Sequence, residues 1–450
     1  MKKIFLFIAS FAVISCANDP KPDPIDYTIL SGKIENSKKG KILVFNDNFK
    51  KEITLNKDDG TFLDTLRVQT GYYTLMHDKD KATLFLTKEK DVKLTTNATK
   101  FIDRMKFEGK GAAENNFLLA KTTRNKSRDA IAIFSMEEPE FIKTINGFGE
   151  ITTKLLTEAT DLDEEFIAYE KKNIKYANLI NLSKYPMYYP HYSKNEDYKP
   201  SETFNAYFEN VDYDNEEDFN VYKNFKELAI RHYSEKLNPF ENIKGAIDTL
   251  KALKSQSLKN VLAQNLSFFI SPSGKDSDYL YKELSTISKD DEFKKELTEK
   301  YNTIKKLVAG NASPKFNYEN HKGGKTTLED LKGKYVYIDV WATWCGPCIK
   351  EIPSLKKVEK KYHNKNIEFV SISIDDKDDH AAWKKMVDDK DLGGIQLMAD
   401  NDWKSQFVTE YAIEGIPRFI LIDPNGNIVN ADAPRPSSPE LIELFDELKI

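Results

Sequence analysis

Two cysteines, Cys345 and Cys348, stand two residues apart at the point where a strand-like run gives way to a helical one. Tyr335-Val336-Tyr337-Ile338-Asp339-Val340-Trp341 reads as a buried strand. Residues 348–362 read as a helix, in which Pro353 predicts a kink. A helix that opens here offers free backbone N–H groups and partial positive charge to the sulfur atoms. A thiolate is stabilised in such a place, so more nucleophile exists at neutral pH. Cys345, at the expected exposed end, is the attacking thiol, and Cys348, one turn further in, is the resolving one. Gly346 and Pro347 separate them, and proline suits a first turn because its missing N–H would lack an intrahelical partner anyway.

Other uses of the pair are weaker. A zinc site needs about four ligands, and no second C-x-x-C or neighbouring C-x-x-H accompanies this one. A purely structural disulfide would close a very small loop and constrain little. The remaining cysteine, Cys16, is far away, so the fold is not built on disulfides. The balance of charge, a net of -5, gives no electrostatic footprint for nucleic acid.

Cys16 closes an N-terminal targeting pattern. Lys2 and Lys3 precede an apolar run from Ile4 to Ile14, too short to span a bilayer. Val13-Ile14-Ser15-Cys16 resembles a bacterial lipobox, which implies a signal peptide over residues 1–15 and lipidation of Cys16. An ordinary signal peptide is the alternative. Residues 16–26, with Pro20, Pro22 and Pro24, read as an extended tether.

With 450 residues the chain exceeds one ordinary core. Residues 27–110 alternate with strand period (Ile42 with Val44, Tyr73 with Leu75, Val92 with Leu94), and predict a small antiparallel sandwich or barrel. Residues 111–310 shift to helical spacing, as in Phe141, Ile145 and Phe148, and predict an all-helical domain. Pro186, Pro190 and Pro200 are expected to interrupt those helices around a tyrosine-rich stretch, which is either core packing or a partner surface. Residues 311–450 alternate strand and helix, so an α/β domain is expected there.

From Ile338 to Cys348 the sequence resembles the active-site segment of thioredoxins. The last third of the chain resembles the TlpA/ResA branch of that superfamily. Ser313-Pro314-Lys315-Phe316, Glu351-Ile352-Pro353, Gly415-Ile416-Pro417 and Asp423-x-x-Gly426 match in order. The resemblance implies a thioredoxin fold and dithiol–disulfide exchange with protein substrates, with no bound cofactor and no metal. It implies that Asp339 is the buried acid that accepts the proton of Cys348, since burial raises a carboxyl pKa. Glu351 takes the place of the acid that influences thiol ionisation. Pro417 takes the place of the cis-proline that, with Ile416, Trp344, Gly346 and Pro347, lines the substrate surface.

Gly346-Pro347 and Asp339 are more thioredoxin-like than is usual in the TlpA/ResA branch. This favours a protein-disulfide reductase, fed by a membrane thiol-reductant conduit, and weakens a direct transfer of the cytochrome c maturation role. The expected location is the cell envelope or periplasm, lipid-anchored through Cys16. The rival from another class is a lipid-anchored binding or scaffold protein that uses the thioredoxin fold as a docking platform. A platform does not need the thiols. A peroxidase would need a reactive cysteine in a different motif.

Overall fold

The structure, a computed structural model, describes residues 26–125 and 128–450. The targeting segment, Cys16 and nearly all of the tether lie outside the described residues. The chain divides into two compact units. One comprises residues up to 211 together with 220–225, and the other 212–219 together with 226–450. The expected helical stretch is therefore shared, its earlier helices belonging to the first unit and its later ones to the second.

The first unit carries eight strands: β1 (Thr28–Glu35), β2 (Lys41–Asn46), β3 (Phe49–Thr54), β4 (Thr61–Leu66), β5 (Gly71–His77), β6 (Asp80–Leu86), β7 (Val92–Asn97) and β8 (Lys106–Glu108). They form two four-stranded sheets, ordered β4-β1-β7-β8 and β3-β2-β5-β6. The alternating residues do what the period demands. Leu30 and Ile34 of one sheet and Ile42, Val44 and Leu75 of the other meet in one core. Pairing is antiparallel except between β1 and β7, which run parallel. Intermediate strands run through the second sheet before β7 returns beside β1, and a sandwich permits that crossover.

Two adjacent asparagines close the sheet edges. Asn115 accepts from the Phe85 N–H and donates to the Phe85 carbonyl on edge strand β6, both at 2.9 Å. Asn116 does the same for Phe107 on edge strand β8, at 3.2 and 3.0 Å. Both sit on the helix Ala112–Asn125, so one turn of helix blocks two templates for unwanted strand pairing.

Pro186 and Pro190 do not break their helix, contrary to expectation. The helix Glu164–Ser193 runs through both. The tyrosines of this stretch hold it. Tyr185 is buried, stacks on Phe141 at 4.1 Å and donates to the Met136 carbonyl at 2.7 Å. Tyr189 donates to Glu137 at 2.8 Å. This packing outweighs the backbone hydrogen bonds that the prolines forgo, and the tyrosine cluster is core rather than partner surface.

The second unit begins with helices, among them Ile243–Ala252, Gln256–Leu266, Ser277–Ile287 and Asp291–Ile304. A seven-stranded sheet follows, made of β9 (Asn317–Asn320), β10 (Lys325–Thr327), β11 (Tyr335–Trp341), β12 (Ile367–Ser373), β13 (Ile395–Met398), β14 (Arg418–Ile422) and β15 (Ile428–Asn430). Its order is β10-β9-β13-β12-β11-β14-β15. β11 lies within it, parallel to β12 and antiparallel to β14. Val336, Ile338 and Val340 pack with Trp383 and Phe407 on one face. Tyr337 packs with Leu355, Val358 and Phe445 on the other, under the helices Gly346–Lys361 and Pro439–Glu447. This is the thioredoxin arrangement. Pro353 lies inside the Gly346–Lys361 helix, which continues past it.

Candidate active site

β11 ends at Trp341, and within five residues the chain turns into the helix that starts at Gly346. Cys345 caps that helix. Its Sγ accepts from the Cys348 N–H at 3.1 Å, and its carbonyl accepts from the Ile349 N–H at 3.0 Å. Pro347 sits in the first turn. Cys345 and Cys348 are joined as a disulfide with their Cα atoms 5.3 Å apart. The helix N-terminus is where a thiolate gains most from backbone N–H groups once the bond opens.

Cys345 was expected at an exposed end. In the closed disulfide both cysteines are 4% exposed. The exposed neighbours are Trp344, Gly346 and Pro347, and Trp344 is 55% exposed with its ring 6.3 Å from that of Trp403. Trp341 is core. The loop that carries Ile416 and Pro417 has a cis peptide bond between them. Pro417 borders a groove that also receives Phe240 and Phe268 from the helical part of the same unit. Both rings are well exposed. Arg418 does not reach outward for a partner. It pairs with Asp432 at 3.2 Å and is largely buried.

Asp339 faces the active-site helix. Strand alternation places it on the same side as Tyr337, and it lines a small cavity with Cys348. Burial, reinforced by the charges of Glu351 and Glu359, pushes its carboxyl up to about 8. A group with that affinity can take a proton from a thiol and return it near neutral pH. Glu351 bonds to Ser437. It accepts from the Ser437 N–H at 3.1 Å and the Ser437 hydroxyl at 2.9 Å, so it fastens the helix to the segment before Pro439 and acts on Asp339 through its charge.

One anchor of the site escaped the sequence reading. Asp375, 1% exposed, accepts from the Thr343 N–H at 3.1 and 3.0 Å and from the Thr343 hydroxyl at 2.7 Å. Ser373 donates to it at 2.6 Å. These bonds fix the turn just before Trp344. The only sequence signal was a polar Ser-Ile-Asp ending on a strand, which looks like any strand exit. Among the described residues no cluster of His, Cys, Asp and Glu could hold a metal ion.

A Redoxin family model matches residues 308–442. The thiol-disulfide oxidoreductase ResA of Bacillus thuringiensis is 32% identical over 124 residues, which cover 28% of this chain and 69% of the relative. The chain belongs to the TlpA/ResA-like thiol-disulfide oxidoreductases of the thioredoxin superfamily. Among solved structures, the thioredoxin domain of a thiol-disulfide oxidoreductase from Bacteroides vulgatus is 30% identical, covering 32% of this chain and 98% of that one, with a TM-score of 0.29. A thiol-disulfide oxidoreductase from Bacteroides fragilis is also 30% identical, covering 30% and 98%, with a TM-score of 0.28. All of these likenesses cover about a third of this family member or less.

The raised Asp339 carboxyl has a consequence for stability. An acid whose pKa is higher in the folded state than in the unfolded one costs stability as pH rises between the two values. For this group the fall runs from its ordinary 3.8 to about 8. Asp339→Asn removes it. In urea unfolding of the oxidised protein, the variant is expected to match the parent near pH 4 and to exceed it by on the order of a few kcal/mol at pH 8. Parallel pH dependence in both proteins would contradict a buried, raised carboxyl.

Proposed function

We propose that this protein is a protein-disulfide reductase of the cell envelope. The observation that carries the reading is the Cys345–Cys348 disulfide at a helix N-terminus with a raised carboxyl, Asp339, beneath Cys348. In the reduced protein the Cys345 thiolate attacks one sulfur of a substrate disulfide. A mixed disulfide forms and the other substrate sulfur leaves as a thiolate. Cys348 gives its proton to Asp339, attacks the Cys345 sulfur and releases the second substrate thiolate. Two electrons pass to the substrate, and the protein is left as the closed disulfide. The substrate chain runs past Trp344, Gly346 and Pro347 towards Ile416 and Pro417, with Phe240 and Phe268 flanking its path.

A new cycle requires a dithiol donor, and a membrane thiol-reductant conduit is the class that supplies electrons across a bilayer. Attachment to the membrane is proposed through lipid on Cys16. No helix among the described residues is long and apolar enough to cross a membrane.

Cys345→Ser is expected to abolish reduction of a model disulfide protein. Cys348→Ser is expected to accumulate a stable mixed disulfide through Cys345, visible by non-reducing electrophoresis. Full turnover by Cys345→Ser would sink the mechanism. Cys16→Ala is expected to move the protein from the membrane fraction to the soluble one, and its retention on membranes would remove the lipid anchor from the reading.

A further inference from the structure

The sheet face under the active-site helix carries a polar row. Asp339 on β11 is in register with Ser371 on β12, and Ser371 with Gln396 on β13. This row runs from beneath Cys348 towards the edge of the helix, where Glu359 lies. Asp339, Cys348, Glu359, Ser371 and Gln396 line one cavity together with Trp341. About 10 Å³ of it is open to the centre of a water molecule, near the least that holds one.

The lining is built for a polar occupant. The Gln396 side chain is held by its own donation to the Gly393 carbonyl at 2.7 Å, which leaves its Oε1 without a partner among the described residues. Trp341 Nε1 is likewise unpartnered there. Both residues are at least nine-tenths buried, at 5% and 2% exposure. Buried groups of this kind are normally satisfied, if not by protein then by an internal water.

The Gly393-Gly394 turn makes the room for Glu359. A Cβ on Gly393 would stand 2.3 Å from Glu359 Oε2. Glu359 is half-buried and lines the cavity, so it is the member of this lining placed to exchange a proton with solvent.

We propose that Glu359 is the outlet of a proton relay that joins Asp339 to solvent through a water held in this cavity. The proposal rests on the exchange chemistry given above and deepens it. Asp339 must be ionised before it can take the Cys348 proton. The proton it already holds leaves to the cavity water, which passes one to the Glu359 carboxylate, and Glu359 releases it to bulk water. No bond other than O–H bonds forms or breaks, and no electrons move. When the disulfide is reopened the same path runs backwards and restores the proton to Cys348. Glu359 is a positioning residue in this scheme, because it touches neither sulfur nor substrate.

The charges around the relay are few. The active-site helix brings Glu351, Lys356 and Glu359, and β11 brings Tyr337 and Asp339. Lys356 is drawn aside, donating to the Lys390 carbonyl at 2.6 Å and standing 3.9 Å from Asp391. Burial lifts Glu359 to about 7, against the pull of Lys356. The handover from about 8 to about 7 is uphill by about tenfold, and release to bulk water above pH 8 draws the outgoing proton through.

The test is a rapid pH jump from 6 to 9 on the oxidised full chain, following the infrared carboxyl band of Asp339, identified by its loss in Asp339→Asn. Glu359→Gln is expected to slow loss of that band by on the order of 10²-fold. The same substitution should lower the equilibrium midpoint of the band, because a neighbouring negative charge is gone. A merely structural defect would not move rate and midpoint in these two directions together. Gly393→Ala, which displaces the Glu359 carboxyl and keeps its charge, should also slow the loss. Parent-like rates in both variants, or an unmoved midpoint in Glu359→Gln, would overturn the relay. The measurement needs no substrate, so it stands or falls separately from the Cys345→Ser and Cys348→Ser results.

Discussion

The carboxyl of Asp339 occupies a place on β11 where an apolar side chain would stabilise the sheet more, and much of the site is arranged around that cost. Isolated charge is expensive inside a protein, and a buried acid responds by holding its proton. Here the result is a group that titrates near the working pH directly beneath Cys348. The helix that covers it contributes Cys348 at its first turn and Glu359 three turns further on, so the same element presents the thiol and the second carboxyl. The strand that carries Asp339 ends five residues before the Gly346–Lys361 helix begins, and Asp375 pins that crossing through Thr343. Geometry and acidity are therefore set by one strand–helix junction.

Much of this junction was legible in the sequence. The cysteine pair, the apolar run before it and the helical pattern after it mark strand, cap and helix by local chemistry alone. Ile416–Pro417 and Asp339 were reached through resemblance to thioredoxins, and the structure places them as a cis-proline loop and a buried acid. The row of Asp339, Ser371 and Gln396 was not legible. Its members are far apart in the chain and become neighbours only through the register of β11, β12 and β13. Glu359 reads as an ordinary helix glutamate until Gly393 is seen to make room for it.

The rest of the chain shows where local rules yield to packing. Prolines 186 and 190 argue against helix by backbone chemistry, yet Tyr185 and Tyr189 bury and bond on the same helix and hold it intact. The strand periods of residues 27–110 located most strands, but alternation carries no direction, so the parallel pairing of β1 with β7 could not be read from it. The helices of residues 111–310 share one spacing pattern and still belong to two units. Periodicity reports which face a helix buries and does not report against what.

The central claim is that Cys345 and Cys348 work as a reductant, and the reduction potential of the pair tests it most directly. It is measured by equilibrating the protein with glutathione or dithiothreitol buffers and counting free thiols. The account predicts a value close to about -270 mV, that of thioredoxin, consistent with a dithiol that passes electrons to substrates and is refilled from the membrane. A value close to about -120 mV, that of a strong oxidant such as DsbA, would contradict it and make the protein a disulfide donor.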